Sequence, residues 1–151
     1  MRVSLKFKIL ILILILIGLS ILFISCQKRA KAVVIKSPKL KTPISCMALS
    51  EVGVEKDFLN KLREMYDFNQ SCSNRLYISY KRDITCNSSY NAVMKNTHGF
   101  PKSYLKFELK RGLDTLYSYY IDLYNNVDID DIENEFKIVK DDLLKPKEEK
   151  R

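Results

Sequence analysis

Few residues of this chain belong to the types that usually carry out chemistry in an active site. A nucleophilic serine or cysteine needs a base within hydrogen-bond distance, and the chain contains one histidine, His98. No serine lies in a G-x-S-x-G motif, and the four scattered glycines do not form a phosphate-binding loop. The sequence therefore predicts that the protein is not an enzyme, and a small hydrolase that uses His98 is the alternative.

Acidic residues cluster in the segment DIDDIENE, which covers residues 128–135. An EF-hand calcium loop needs a glycine at its sixth position, and Glu133 stands there when the count starts at Asp128. The acids fit better in the first two turns of a helix, where the helix dipole favours negative charge. Neither a metal ion nor a cofactor is predicted for this chain.

The cysteines at positions 46, 72 and 86 form no C-x-x-C pair, which argues against a zinc site or a thioredoxin-like redox pair. Cys46 comes just before the first predicted helix, and Cys72 comes just beyond its far end, about 25 Å away. If the next strand returns antiparallel to that helix, Cys86 comes back to the end where Cys46 lies. The predicted disulfide is therefore Cys46–Cys86, which leaves Cys72 free if Cys26 is lipidated.

The fourth cysteine, Cys26, follows an apolar run from Ile9 to Ser25 that three basic residues precede. The 17 residues of this run exceed the roughly 7 to 15 of a signal peptide and fall short of the roughly 20 of a membrane span. A span with its domain outside the cell has its basic residues mainly on the N-terminal side, but six follow this run between residues 26 and 41. The flanking charge therefore argues against an outward-facing anchor.

The four residues FISC, from Phe23 to Cys26, resemble the lipobox of bacterial lipoprotein precursors, although Phe23 departs from the usual leucine. The resemblance implies cleavage before Cys26 and acylation of its thiol and of the new amino terminus. It also implies attachment to a bacterial membrane, with the protein facing the periplasm or the cell exterior. It covers the first 26 residues and implies nothing about the domain. A signal anchor and plain secretion stay open as alternatives.

The net charge of +8 is unevenly distributed along the chain. The first 50 residues hold nine basic residues and no acid, so the other 101 hold the remaining 17 basic residues and all 18 acids, a net charge of −1. Because a nucleic-acid interface places its basic residues on the folded domain, no nucleic-acid partner is predicted. We interpret residues 1–25 as a signal peptide and residues 26–48 as the lipidated cysteine with a basic linker.

The remaining sequence predicts an α+β domain over residues 49–144, followed by a charged tail over 145–151. Apolar residues at helical spacing predict helices over 50–66 and 129–144, the second with Asp128 as its N-cap, and a shorter helix is predicted over 88–96. Alternating residues predict a strand over 75–82 and a hairpin over 105–124 with a turn at RGLD. The order of these elements predicts a small antiparallel sheet covered by two main helices.

Many of the nine tyrosines fall within the predicted strands. A face of tyrosines can bind a partner, and Tyr117 and Tyr119 are the predicted interaction residues, although tyrosine is also common in ordinary sheets. The sequence thus predicts a membrane-anchored lipoprotein with an extracytoplasmic binding or structural domain. The alternatives are an inhibitor or immunity-type module that binds a protein partner, and a single-span anchored protein.

Overall fold

The computed structural model describes residues 31–84 and 100–146 of the chain. Cys26, Cys86, His98 and the predicted helix over 88–96 lie outside the described residues, as do the signal peptide and most of the tail. The elements within the described ranges, in chain order, are β1 (Val33–Lys36), β2 (Ala48–Leu49), α1 (Lys56–Met65), β3 (Asn74–Lys81), β4 (Ser103–Arg111), β5 (Asp114–Leu123) and α2 (Ile129–Leu144).

The strands form one sheet in the order β1-β5-β4-β3-β2. Neighbouring strands are antiparallel except for β2 and β3, which are parallel. The connection from β2 through α1 to β3 is therefore a βαβ unit, which parallel neighbours require. The predicted α+β fold with a hairpin and two helices is confirmed, and the two-residue strand β2 makes the sheet mixed.

The predicted hairpin is the pair β4 and β5. Gly112 lies in the turn with φ +59°, a left-handed conformation that glycine adopts without strain. The register shifts between Leu109 and Lys110, where β5 has an extra residue, Leu116, opposite β4. This bulge determines which side chains of β5 face the helices.

The second helix, α2, spans the predicted residues. The side chain of its N-cap, Asp128, accepts a hydrogen bond from the backbone N–H of Asp131 at 2.9 Å. The carboxylate of Asp131 accepts one from the backbone N–H of Asp128 at 3.1 Å. This reciprocal capping box satisfies two backbone donors that would otherwise lack intrahelical partners, and it explains why the helix begins where the sequence predicts.

Both helices pack on one face of the sheet, which we call the inner face. An ion pair of 3.2 Å between Lys61 and Glu133 joins the two helices. The ring of Phe136 on α2 stacks on Phe107 of β4 and on Phe68, with centroids 5.9 Å apart in each pair. The core also contains buried residues from every strand except β1, together with Phe58, Leu59, Leu62, Ile132, Val139 and Leu143 from the helices.

The domain begins earlier than the predicted boundary at residue 49. Strand β1 pairs with β5 from Val33 to Lys36, and Lys36 Nζ forms an ion pair with Asp142 Oδ1 at 2.7 Å. Ile44 and Met47 are buried in the core. The prediction that residues 26–48 form a linker is therefore wrong from residue 33 onward. Helix α1, by contrast, begins six residues later than predicted, after a turn in which Gly53 has φ +75°.

A disulfide joins Cys46 to Cys72, with their Cα atoms 6.0 Å apart, so the predicted pair Cys46–Cys86 is wrong. The prediction had no strand between Cys46 and the helix. Strand β2 carries the chain away from Cys46, and α1 carries it back, so β3 begins beside β2. The amide of Asn74 donates to the carbonyl of Cys46 at 3.2 Å, which holds the two strand starts together.

Candidate functional site

The two tyrosines predicted to contact a partner are buried, so that prediction is wrong. Tyr117 is 0% exposed and Tyr119 is 1% exposed. Both face α2: the Tyr117 hydroxyl donates to Asp142 Oδ2 at 2.9 Å, and the Tyr119 hydroxyl donates to the carboxylate of Glu135. The bulge at Leu116 explains the error, because an alternation without the bulge would point these rings away from the helices.

Burial raises the pKa of the Tyr117 phenol above its ordinary value, and the hydrogen bond to Asp142 raises the pKa further. The unfolded chain releases this proton at about pH 10, while the folded domain retains it. The buried, protonated Tyr117 phenol therefore contributes its full stabilisation below about pH 10, and this stabilisation is lost as the pH rises further.

We expect the free energy of unfolding to fall with increasing pH above about 10, by about 1.4 kcal/mol per pH unit for this one group. Urea denaturation of the wild type and of Tyr117→Phe, across the range from about pH 9 to about pH 11, measures the slope. The variant should show a shallower decline, since it has no phenol to ionise at that position. Parallel curves for the two proteins would show that Tyr117 does not govern the alkaline loss.

The opposite side of the sheet, which we call the outer face, carries the exposed and half-exposed side chains of the strands. Among the described residues, neither helix packs on this face. The alternation of each strand and the register of the pairs define its members: Val33, Ile35, Arg75, Tyr77, Ser79, Lys81, Tyr104, Lys106, Glu108, Lys110, Ser118, Tyr120 and Asp122.

Aromatic rings and lysines are interleaved on the outer face. The rings of Tyr104 and Tyr120 stack with centroids 5.6 Å apart. Lys110 Nζ lies 5.3 Å from the centroid of the Tyr77 ring, within the range of a cation–π contact. The Tyr120 hydroxyl donates to Asp122 Oδ1 at 2.7 Å, and this hydrogen bond, with burial, raises the pKa of Tyr120 to about 12. Tyr120 therefore presents a neutral, amphipathic ring at physiological pH.

A small ionic cluster lies at the centre of β4. Glu108 forms two ion pairs. One of its carboxylate oxygens lies 2.8 Å from Lys106 Nζ, and the other lies 3.3 Å from Lys110 Nζ. Partial burial raises the pKa of Glu108, but the two lysines outweigh it, so the pKa lies below its usual value. The carboxylate is therefore ionised at neutral pH, and the cluster keeps one net positive charge.

Strand β1 adds an apolar margin to the outer face. It is an edge strand of the sheet, and its outward side chains Val33 and Ile35 are 54% and 64% exposed. Exposed β-branched residues on a strand edge are unusual, because edges are commonly protected by charges or cover. A patch of this kind, next to aromatic residues and lysines, is typical of a surface that contacts another molecule.

The charges of the domain are separated between its two sides. The outer face has four basic residues, Arg75, Lys81, Lys106 and Lys110, and two acids, a net charge of +2. Helix α2, on the other side of the sheet, has six acids and two lysines, a net charge of −4. Because Glu135 of α2 is buried and α1 adds a net charge of +1, the exposed charge of the two helices is −2, so the outer face is the positive side of the domain and the helical side is the negative one.

Other kinds of site find no support in the described part of the chain. Within residues 31–84 and 100–146, no three His, Cys, Asp or Glu side chains lie close enough together to hold a metal ion. No helix within the same ranges is long and apolar enough to cross a membrane. The outer face is therefore the candidate functional site of the described domain.

Comparison with known proteins does not assign this chain to a family. No family model, no curated protein and no solved structure matches it. The class of protein is thus defined by the fold and the site alone: a small α+β domain with helices on one face of its sheet and a basic, tyrosine-bearing face on the other.

Proposed function

We propose that this chain is a bacterial lipoprotein, anchored to a membrane through a lipidated Cys26, whose domain acts outside the cytoplasm as a binding module. The Cys46–Cys72 disulfide carries the proposal. Disulfides form and persist in the periplasm and on the cell surface, whereas cytosolic thiols are kept reduced. The buried position of Cys72 and its place beside β2 are those of a structural bond.

The start of the folded domain supports this proposal. Six residues lie between Cys26 and Val33, the first residue of β1, so the two Cα atoms are seven residue steps apart. A fully extended chain of that length reaches at most about 25 Å. A lipid on Cys26 would therefore keep the domain next to the membrane, where the outer face is the surface available for binding. The module is proposed to act without a cofactor and without catalysis.

The mass of the intact protein purified from membranes tests the proposal. We expect a chain that begins at Cys26 and carries added acyl mass. The Cys26→Ser variant should lose both the cleavage and the acyl mass, because the thiol is the site of acylation. The matched control, Cys86→Ser, should be processed like the wild type. A chain that retains Met1 and has no acyl group would overturn the proposal.

A further inference from the structure

We infer that the outer face docks on the surface of the membrane that holds the anchor, with anionic phospholipid headgroups as its ligand. This inference rests on the proposed lipid anchor and names the partner of the same face. Three features of the domain support it: the separation of charge, the chemistry of the outward side chains, and the position of β1 relative to Cys26.

The separation of charge orients the domain on a negative surface. The outer face carries a net charge of +2, from Arg75, Lys81, Lys106 and Lys110 against Glu108 and Asp122. An anionic leaflet attracts these groups within a Debye length of about 10 Å and repels helix α2, whose net charge is −4. Both forces turn the same side of the domain toward the membrane.

The outward side chains are those that the interface between lipid and water favours. Tyr77, Tyr104 and Tyr120 can place their rings at the level of the headgroups, as interfacial tyrosines do. Val33 and Ile35 can enter the boundary of the acyl chains, because both are largely exposed. Lysines also suit the interface between lipid and water, because their alkyl chains can cover apolar surface while their ammonium groups stay among the phosphates.

The tether brings the outer face to the membrane. Strand β1 is the edge strand nearest in sequence to Cys26 and contributes Val33 and Ile35 to the outer face. A tether of six residues raises the effective concentration of lipid at this face, so weak contacts suffice for docking. The apolar residues Val33 and Ile35 therefore lie on the strand next to the anchor, and the basic residues of β4 and β3 continue the same face across the sheet.

Tryptophan fluorescence tests this orientation, because the chain contains no tryptophan of its own. Two full-length variants are compared after reconstitution of the mature protein in vesicles: Ile35→Trp on the outer face and Ile138→Trp on α2. Both positions are exposed, at 64% and 44%, so either ring is expected to be accommodated without disturbing the fold. The vesicles contain phosphatidylcholine, with or without phosphatidylglycerol, and a fraction of spin-labelled lipid.

In vesicles with phosphatidylglycerol, we expect the emission of Ile35→Trp to shift to the blue and to be quenched several-fold more than that of Ile138→Trp. Equal quenching of the two variants would overturn the proposal. A blue shift of Ile35→Trp that depends on protein concentration in detergent, without lipid, would also overturn it, because a second copy would then cover the face.

Charge reversal in the Ile35→Trp variant distinguishes docking on lipid from mere closeness to the anchor. Only docking should make the quenching of the tryptophan depend on the charge of the outer face. The Lys81→Glu and Lys106→Glu changes should each lower the ratio of docked to undocked domain at least about fivefold, because each removes a positive charge and adds a negative one, whereas Lys137→Glu on α2 should leave the ratio unchanged. The same effect for all three variants would overturn the role of the outer face. The intact mass of each sample reports lipidation independently, so the failure of the anchor is distinguished from the failure of docking.

Discussion

Replacing Phe136 with alanine is expected to lower the free energy of unfolding by about 3 to 5 kcal/mol. Phe136 is fully buried and lies between Phe68 and Phe107, so its ring joins α2 to β4 and to the segment after α1. Truncation removes the transfer free energy of the ring and leaves a cavity among aromatic groups that cannot collapse easily. A loss of this size is a large part of the roughly 5 to 15 kcal/mol that stabilises a typical domain.

The control for this prediction is Ile138→Ala, which changes an exposed residue on the same helix. We expect it to lower the free energy of unfolding by no more than about 1 kcal/mol, because nearly half of the Ile138 side chain is already exposed to water and alanine favours the helix. Urea denaturation of the two variants measures both values. A loss below about 1 kcal/mol for Phe136→Ala would show that the aromatic stack does not form the centre of the core.

The elements that were predicted correctly are those with strong local patterns. In α2, apolar residues recur every three or four positions and Asp128 marks the start, so its bounds follow from local sequence. In β4, Leu105, Phe107 and Leu109 alternate with charged residues, and the inner and outer faces follow that alternation. Local periodicity therefore accounts for the hairpin and for the longer helix.

The parts that were missed depend on contacts distant in sequence. Strand β1 shows no alternation because all four of its residues are exposed, and only its pairing with β5 makes it a strand. Strand β2 has two residues, too few for any periodic signal, although it carries the chain away from Cys46 before α1 brings it back. A prediction without β2 makes the helix follow Cys46 directly, and it therefore places Cys72 at the end of the helix far from Cys46.

The outer face was partly predictable. The alternation of β4 places Tyr104 on the same side as Lys106, so this tyrosine was available as an outward residue. On β5, the bulge at Leu116 moves the side chains that follow it to the opposite face of the sheet, and no residue type in that segment predicts the bulge. Tyr120 therefore faces outward, and Tyr119, which was predicted to contact a partner, faces inward.

Loss of the Cys46–Cys72 disulfide is expected to lower the free energy of unfolding by about 3 to 4 kcal/mol. The bond joins residues 26 positions apart, and the enclosed loop contains β2 and α1. In the unfolded chain, the cross-link removes the conformations in which the ends of this loop separate. Cys46→Ser and Cys72→Ser should therefore show similar losses when urea denaturation is followed under oxidising conditions.

Two comparisons show whether the loss of stability comes from the Cys46–Cys72 disulfide. Cys86→Ser should denature at the wild-type urea concentration, whereas a Cys46–Cys86 bond would make Cys86→Ser as unstable as Cys46→Ser. A reducing agent should bring the wild type close to Cys46→Ser and Cys72→Ser, because all three proteins then lack the cross-link. If Cys46→Ser and Cys72→Ser are still about 3 to 4 kcal/mol less stable than the reduced wild type, the loss comes from packing around the cysteines and not from the covalent constraint.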